Sequence, residues 1–187
     1  GLIFQFLGES VWALRFTAWL FVAGTVHATW FFARRWTVPR IANLAAVLSA
    51  VLLSLPNLEG FTANAEIFMG LPLAFAAFWL VRQSQVRWSL RDTVVVGILL
   101  GLGTVLKPSG VTMLPAGIAF IWLAGPVARP ERWRLIGALT GGTAIIGAAT
   151  LIHGWFLGWS DFIYATVTYR LTMQSSATVT ISHHLDA

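Results

Sequence analysis

Apolar runs of membrane-crossing length recur along this 187-residue chain, and no other feature constrains its fold as strongly. A hydrocarbon core of ~30 Å takes ~20 helical residues to cross. Six segments approach that length: Val11 to Phe32, Ile41 to Leu55, Ala63 to Val81, Leu90 to Leu106, Gly110 to Ala124 and Leu135 to Ile152. Short clusters of Arg, Pro, Gly or Asn separate them. The runs are continuously apolar, without the polar alternation of a membrane β-barrel, so the predicted fold is all-α, a polytopic helical bundle. Several segments are short for a full crossing, which snorkelling side chains or a thinner bilayer can absorb.

Orientation follows from the arginines. Arg34, Arg35 and Arg40 lie in the first connection, Arg82, Arg87 and Arg91 in the third, and Arg129, Arg132 and Arg134 in the fifth. With six crossings these connections share one face, which the positive-inside rule makes cytoplasmic. The other face holds Glu9, Glu59, Glu66, Asp161 and Asp186 with Arg15, Lys107 and Arg170, and both chain ends fall there. The net charge of +5 is spread over separate loops, with no basic stripe that would track a nucleic acid backbone. The chain has no cysteine, so disulfides and thiol chemistry are excluded. It begins at Gly1 without a methionine or a signal sequence and reads as a piece of a longer protein.

Beyond His153 the character changes. Trp155, Trp159, Phe162 or Ile163, and Val167 share a helical face, so Trp155 to about Leu171 is expected to lie on the outer surface as an interfacial helix. The alternative is the start of a seventh span. The expected organisation is a transmembrane bundle over 1–154, part of a larger membrane domain, and an extracytoplasmic interfacial helix with a polar tail over 155–187.

Lys107, the only lysine, stands in the middle of the longest apolar stretch and is followed by Pro-Ser-Gly. That sequence suits a tight turn between antiparallel helices. A turn so short stays at the bilayer surface or dips below it, where irregular backbone is tolerated only against protein or water. A lone interfacial lysine ordinarily snorkels; the functional alternative is that its ammonium holds a phosphate. Glu66 opens the third span just after Asn64, where a carboxylate is stabilised by the helix dipole. With Asn64 available as the cap, Glu66 is free to face a cavity. Arg15 opens the first span on the same side and could pair with Glu9 or meet a phosphate. Glu59 reads as a solvated loop charge and His27 as a buried packing histidine. His183 and His184 stand too isolated in a polar tail for a metal site. Gly97 with Gly101, and Gly137 with Gly141, have the spacing that lets helices approach closely. Pro72 and Pro115 are candidate helix breaks.

Three stretches in succession, FLGESVWALRFTAWLFVAGTVHATWFFARRW, ANAEIFMGLP and GILLGLGTVLKPSGVTMLPA, resemble the polyprenyl-phosphate sugar glycosyltransferases of the protein mannosyltransferase family (glycosyltransferase family 39), which includes lipid A aminoarabinose transferases. The resemblance covers Gly1 to about Ile152. It implies a multispan enzyme of the cell membrane that transfers a sugar from a polyprenyl-phosphate carrier to a protein, lipid or glycan acceptor on the extracytoplasmic face, usually with inversion. By position Glu66 matches the family's second-loop acid, catalytic or substrate-orienting, and in some relatives helping to hold a divalent metal; no cofactor is otherwise implied. Lys107, Arg15 and Asn64 become candidates for the substrate and the lipid phosphate. The family's principal catalytic carboxylate lies in an outer loop upstream of these motifs, so this chain alone is expected to be inactive. A secondary transporter would instead gather ionisable groups near the midplane. A non-catalytic membrane scaffold would leave Glu66 and Lys107 facing headgroups or water.

Overall fold

A computed structural model describes residues 10–55, 64–124 and 128–168, all of it helices and their connections. Glu9, Glu59, Arg170, His183, His184 and Asp186 lie outside the described residues. Contacts divide the chain into two compact units, Gly1–Ile146 and Gly147–Ala187.

Local chemistry sets the ends of several helices of the first unit. α1 (Val11–Trp36) is capped by Ser10, whose side chain accepts from the Ala13 N–H at 3.1 Å, and it carries Arg34 and Arg35 in its last turn, the favourable end for cations. α2 (Pro39–Ser54) starts with Pro39 in the first turn, where a missing N–H costs nothing. α3 (Ala65–Gln85) continues through Pro72, and α4 (Leu90–Leu106) is capped by Ser89. A 3-10 turn, Pro108–Thr112, leads into α5 (Met113–Ala124). α6 (Arg129–Leu157) runs through the division between the units. Neither candidate break interrupts a helix: Pro72 is buried inside α3, and Pro115 falls in the first turn of α5.

Among the described residues, six apolar helices overlap the expected segments, and three of them, α1, α3 and α6, are long and apolar enough to cross a membrane. With 16 residues, α2 extends only about 24 Å at 1.5 Å per residue. Large apolar side chains such as Trp12, Phe16, Trp19, Leu44 and Leu48 are exposed, a surface that suits hydrocarbon rather than water.

Cross-helix contacts set the directions. Phe21 packs on Phe68 with ring centroids 5.0 Å apart, and Phe31 meets Phe78 at 6.0 Å, so α1 and α3 run parallel. The Trp30 Nε1–H donates to Asn43 Oδ1 at 2.8 Å, closing the α1–α2 hairpin. Leu73 lies against Gly103 and Gln83 against Thr93, so α3 and α4 are antiparallel. Gly97 faces Gly142 and Gly101 faces Ile146, which makes α4 and α6 parallel. The core, Ala76, Leu80, Val96, Leu100, Ile121, Leu135, Ile136 and Leu139, joins α3, α4, α5 and α6.

The tightest crossing differs from the expected one. A Cβ on Gly97 would come within 2.2 Å of the Leu139 carbonyl oxygen, and one on Gly142 within 2.3 Å of the Val94 oxygen. Gly137 and Gly141 have nothing within 4 Å. The α6 glycine that admits α4 is therefore Gly142, one residue on from the expected position and about 100° around the helix. Thr143 Oγ1 reinforces the crossing by donating to the Gly97 carbonyl at 3.0 Å.

In the second unit the expected continuous helix from Trp155 is broken. Trp155 lies in the last turn of α6, Gly158 takes φ +113°, and a short helix, α7 (Trp159–Ile163), follows with a π-helical turn over Tyr164–Thr168. Glycine tolerates that positive φ, which other residues rarely adopt, and the helix ends there. Trp159 bridges the break, with ring centroids 6.0 Å from Trp155 and 5.8 Å from Phe162. Trp155, Phe156 and Leu157 are exposed.

Candidate functional site

The antiparallel α3–α4 hairpin brings the start of α3 and the end of α4 to one end of the first unit. Lys107 follows α4 in an extended conformation, φ −149° and ψ 125°, as the residue before a proline prefers. Its carbonyl accepts from the Gly110 N–H at 2.8 Å, so Lys-Pro-Ser-Gly is a turn as its sequence predicts. Gly110 lies on the last turn of α4, where a Cβ would meet the Gly103 carbonyl at 2.8 Å. Ser109 reaches across to Met69 of α3, its hydroxyl 4.0 Å from the sulfur.

Lys107 Nζ forms an ion pair with Glu66 Oε1, each side chain partly exposed, at 34% and 45%. Neither free snorkelling nor first-turn electrostatics alone describes these residues. The carboxylate sits in the first turn of α3, where the dipole favours it, and the ammonium is held over that turn. A lysine ammonium has three N–H donors, so a bond to Glu66 leaves donors for a second anion.

Asn64 occupies the N-cap position of α3, and its carbonyl accepts from the Ile67 N–H at 3.1 Å, but its side chain makes no capping bond. The expected division of labour, with Asn64 capping and Glu66 free, is replaced by the Glu66–Lys107 pair. Arg15 is exposed on α1 and its guanidinium lies 5.9 Å from the Trp12 ring centroid. The parallel register of α1 and α3 puts Arg15 at the same end as Glu66, about one helical turn (~5 Å) further out.

His27 is exposed on α1 rather than buried, and its Nδ1 lies 2.7 Å from the Ala23 carbonyl oxygen. Among the described residues no group of three His, Cys, Asp or Glu side chains could hold a metal ion. The sequence reading missed Met69 and Ser109 as the second tie between α3 and the lysine turn; a serine just after Lys-Pro was the available signal.

Residues 1–155 match the family described as dolichyl-phosphate-mannose-protein mannosyltransferase. The chain belongs to that family. Among curated proteins, this mannosyltransferase-family chain is similar to the undecaprenyl phosphate-alpha-4-amino-4-deoxy-L-arabinose arabinosyl transferase of Wigglesworthia glossinidia brevipalpis, with 24% identity over 121 residues, 63% of this chain. The matched region spans only 22% of that relative's length. No solved structure matches significantly. The matched residues contain Arg15, Glu66 and Lys107, so the ion pair lies inside the region that carries family membership.

Proposed function

We propose that this chain is part of the membrane domain of a glycosyltransferase that moves a sugar from a polyprenyl-phosphate carrier to an acceptor hydroxyl on the extracytoplasmic face of the cell membrane, with inversion. The observation that carries the reading is the Lys107–Glu66 ion pair at the end of the bundle remote from the arginine-rich turns. Alternating helix directions support six crossings, with Arg34, Arg35, Arg82, Arg87, Arg129 and Arg134 at the cytoplasmic side and Lys107 opposite.

The chemistry asks for two charges close together. As the acceptor oxygen bonds to the anomeric carbon, the bond to the phosphate oxygen breaks and the carrier leaves as an anion, which a nearby cation stabilises. Lys107, tethered by Glu66, supplies that cation and keeps N–H donors for the phosphate. Arg15, one turn further out, is the second cation for the same phosphate in this reading. Glu66, in the catalytic position, orients the acceptor hydroxyl and can accept its proton. Asn64 lies beside it as a polar contact for the substrate. Protein, lipid and glycan acceptors all present the hydroxyl that this chemistry requires, and a divalent metal at Glu66 would need ligands from beyond the described residues.

A transporter reading finds less support. Among the described residues, the mid-helix hydroxyls of Thr25, Thr29 and Thr140 donate to carbonyls of their own helices, at 2.8, 2.9 and 2.9 Å, and so offer no polar site halfway across. The test is sugar transfer from a radiolabelled polyprenyl-phosphate donor by the full-length protein. Lys107→Ala and Glu66→Gln should each lower turnover at least about tenfold, the scale of one charge-assisted bond. Unchanged activity in both variants would remove the assignment.

A further inference from the structure

The turn at the other end of the α3–α4 hairpin is built on Gln83, whose side chain is 3% exposed. Its Oε1 accepts from the Ser89 N–H at 3.1 Å and lies 3.1 Å from Thr93 Oγ1. A backbone N–H can only donate, so Ser89 fixes the amide with its oxygen inward. The Nε2 group is left buried with no acceptor. Buried donors are nearly always satisfied, so an orphan of this kind calls for a missing partner.

A pocket of about 80 Å³ adjoins it, lined by Trp79, Arg82, Gln83, Val86, Arg87 and Asp92. Among the described residues neither guanidinium is within ion-pair distance of Asp92 or any other carboxylate. Two arginines and one aspartate give the lining a formal charge of +1. Asp92 belongs to the first turn of the 17-residue α4, so the positive end of that helix dipole adds to the field. Water would satisfy the orphan amide but leave the charge, whereas a monoanion with oxygen acceptors answers both.

We propose that this pocket binds a phosphate oxyanion, with Arg82 and Arg87 as charge partners and Gln83 Nε2 as a buried donor. Asp92 accepts a hydrogen bond from a hydroxyl of the ligand, either a P–OH or a headgroup hydroxyl. The phosphate comes from an anionic lipid or from free phosphate, and both fit the same donors. The site lies at the opposite end of the hairpin from Lys107 and does not rest on the transferase reading.

The test uses the full chain in nanodiscs of phosphatidylcholine, of phosphatidylcholine with phosphatidylglycerol, and of phosphatidylcholine with inorganic phosphate at matched ionic strength. The readout is the unfolding midpoint. At about a hundredfold excess over Kd the wild type should rise by several degrees. Arg87→Gln should weaken the response about tenfold or more, the scale of a charged hydrogen bond. Gln83→Glu keeps the acceptor that holds Ser89 but replaces the donor with a carboxylate, so it should fold and lose the response. A rise with phosphatidylglycerol alone identifies a lipid headgroup, with inorganic phosphate alone a free phosphate, and with both a site open to either source. No rise in any arm, or an equal rise in both variants, overturns the proposal.

Discussion

Replacing Gly97 with alanine places a methyl group 2.2 Å from the Leu139 carbonyl oxygen and 3.0 Å from both the Gly142 Cα and the Thr143 N. All three neighbours are backbone, so no side chain can swing aside. Carbon–oxygen contacts of this kind settle near about 3.3 Å, so α4 and α6 must part by about 1 Å. Overpacking of this sort costs about 1–3 kcal/mol. The separation also stretches the 3.0 Å bond from Thr143 Oγ1 to the Gly97 carbonyl, and interhelical bonds in membranes contribute about 0.6 kcal/mol on average. Because that hydroxyl also lies 3.1 Å from the Leu139 carbonyl, its proton has a second acceptor and part of the loss is recovered. The expected destabilisation is about 2–3 kcal/mol. Gly142→Ala should cost a similar amount, since its methyl would meet the Val94 oxygen at 2.3 Å. Gly141→Ala, with nothing within 4 Å, should be neutral or gain up to about 1 kcal/mol from helix propensity. Reversible unfolding in mixed micelles by titration with a denaturing detergent measures all three. Equal effects at Gly97 and Gly141 would refute a backbone crossing at Gly97 and Gly142.

Reversing the ion pair as Glu66→Lys with Lys107→Glu should restore, to within about 0.5 kcal/mol, stability that either reversal alone lowers by up to about 1 kcal/mol, the range of partly exposed pairs; detergent unfolding of the four proteins checks the coupling. Transfer activity should not return in the swapped protein, because the cation then sits on α3. Gly158→Ala should cost about 1–2 kcal/mol through its φ of +113° alone, as its methyl would meet nothing nearer than Asp161 Oδ2 at 3.6 Å; hydrogen exchange over Trp159–Ile163 reports the loosening. Gly110→Ala should be costlier than Gly103→Ala. The first methyl meets the Gly103 backbone at 2.8 Å, while the second meets the tip of Leu73, a side chain that can turn away; unfolding midpoints rank the two.

The helical class and the positions of the apolar segments were legible because hydropathy and the ~20-residue crossing length act on each segment separately. Leu90 to Leu106 coincides with α4, while Leu135 to Ile152 understates α6, which extends from Arg129 to Leu157. The charged first turns, Arg129 to Arg134, and the residues from His153 to Leu157 lie outside the apolar window but continue the backbone hydrogen bonding of the helix. Turn chemistry was equally local: Lys-Pro-Ser-Gly forms its turn because proline restricts the residue before it. The interfacial face from Trp155 failed as one helix because its spacing ignored Gly158, a residue that can leave the helical region.

The pairing of Lys107 with Glu66, 41 positions apart, could not be read from either neighbourhood. It depends on α3 and α4 running antiparallel in a register set by Leu73 on Gly103 and Gln83 against Thr93. The same applies to Gly142, which was passed over for Gly141, since a one-residue step turns a helix about 100° and only the neighbouring backbone selects the face. Solvent preference is a property of each stretch of chain and so was open to sequence. Contact between helices depends on how distant stretches meet, and that was settled only by packing.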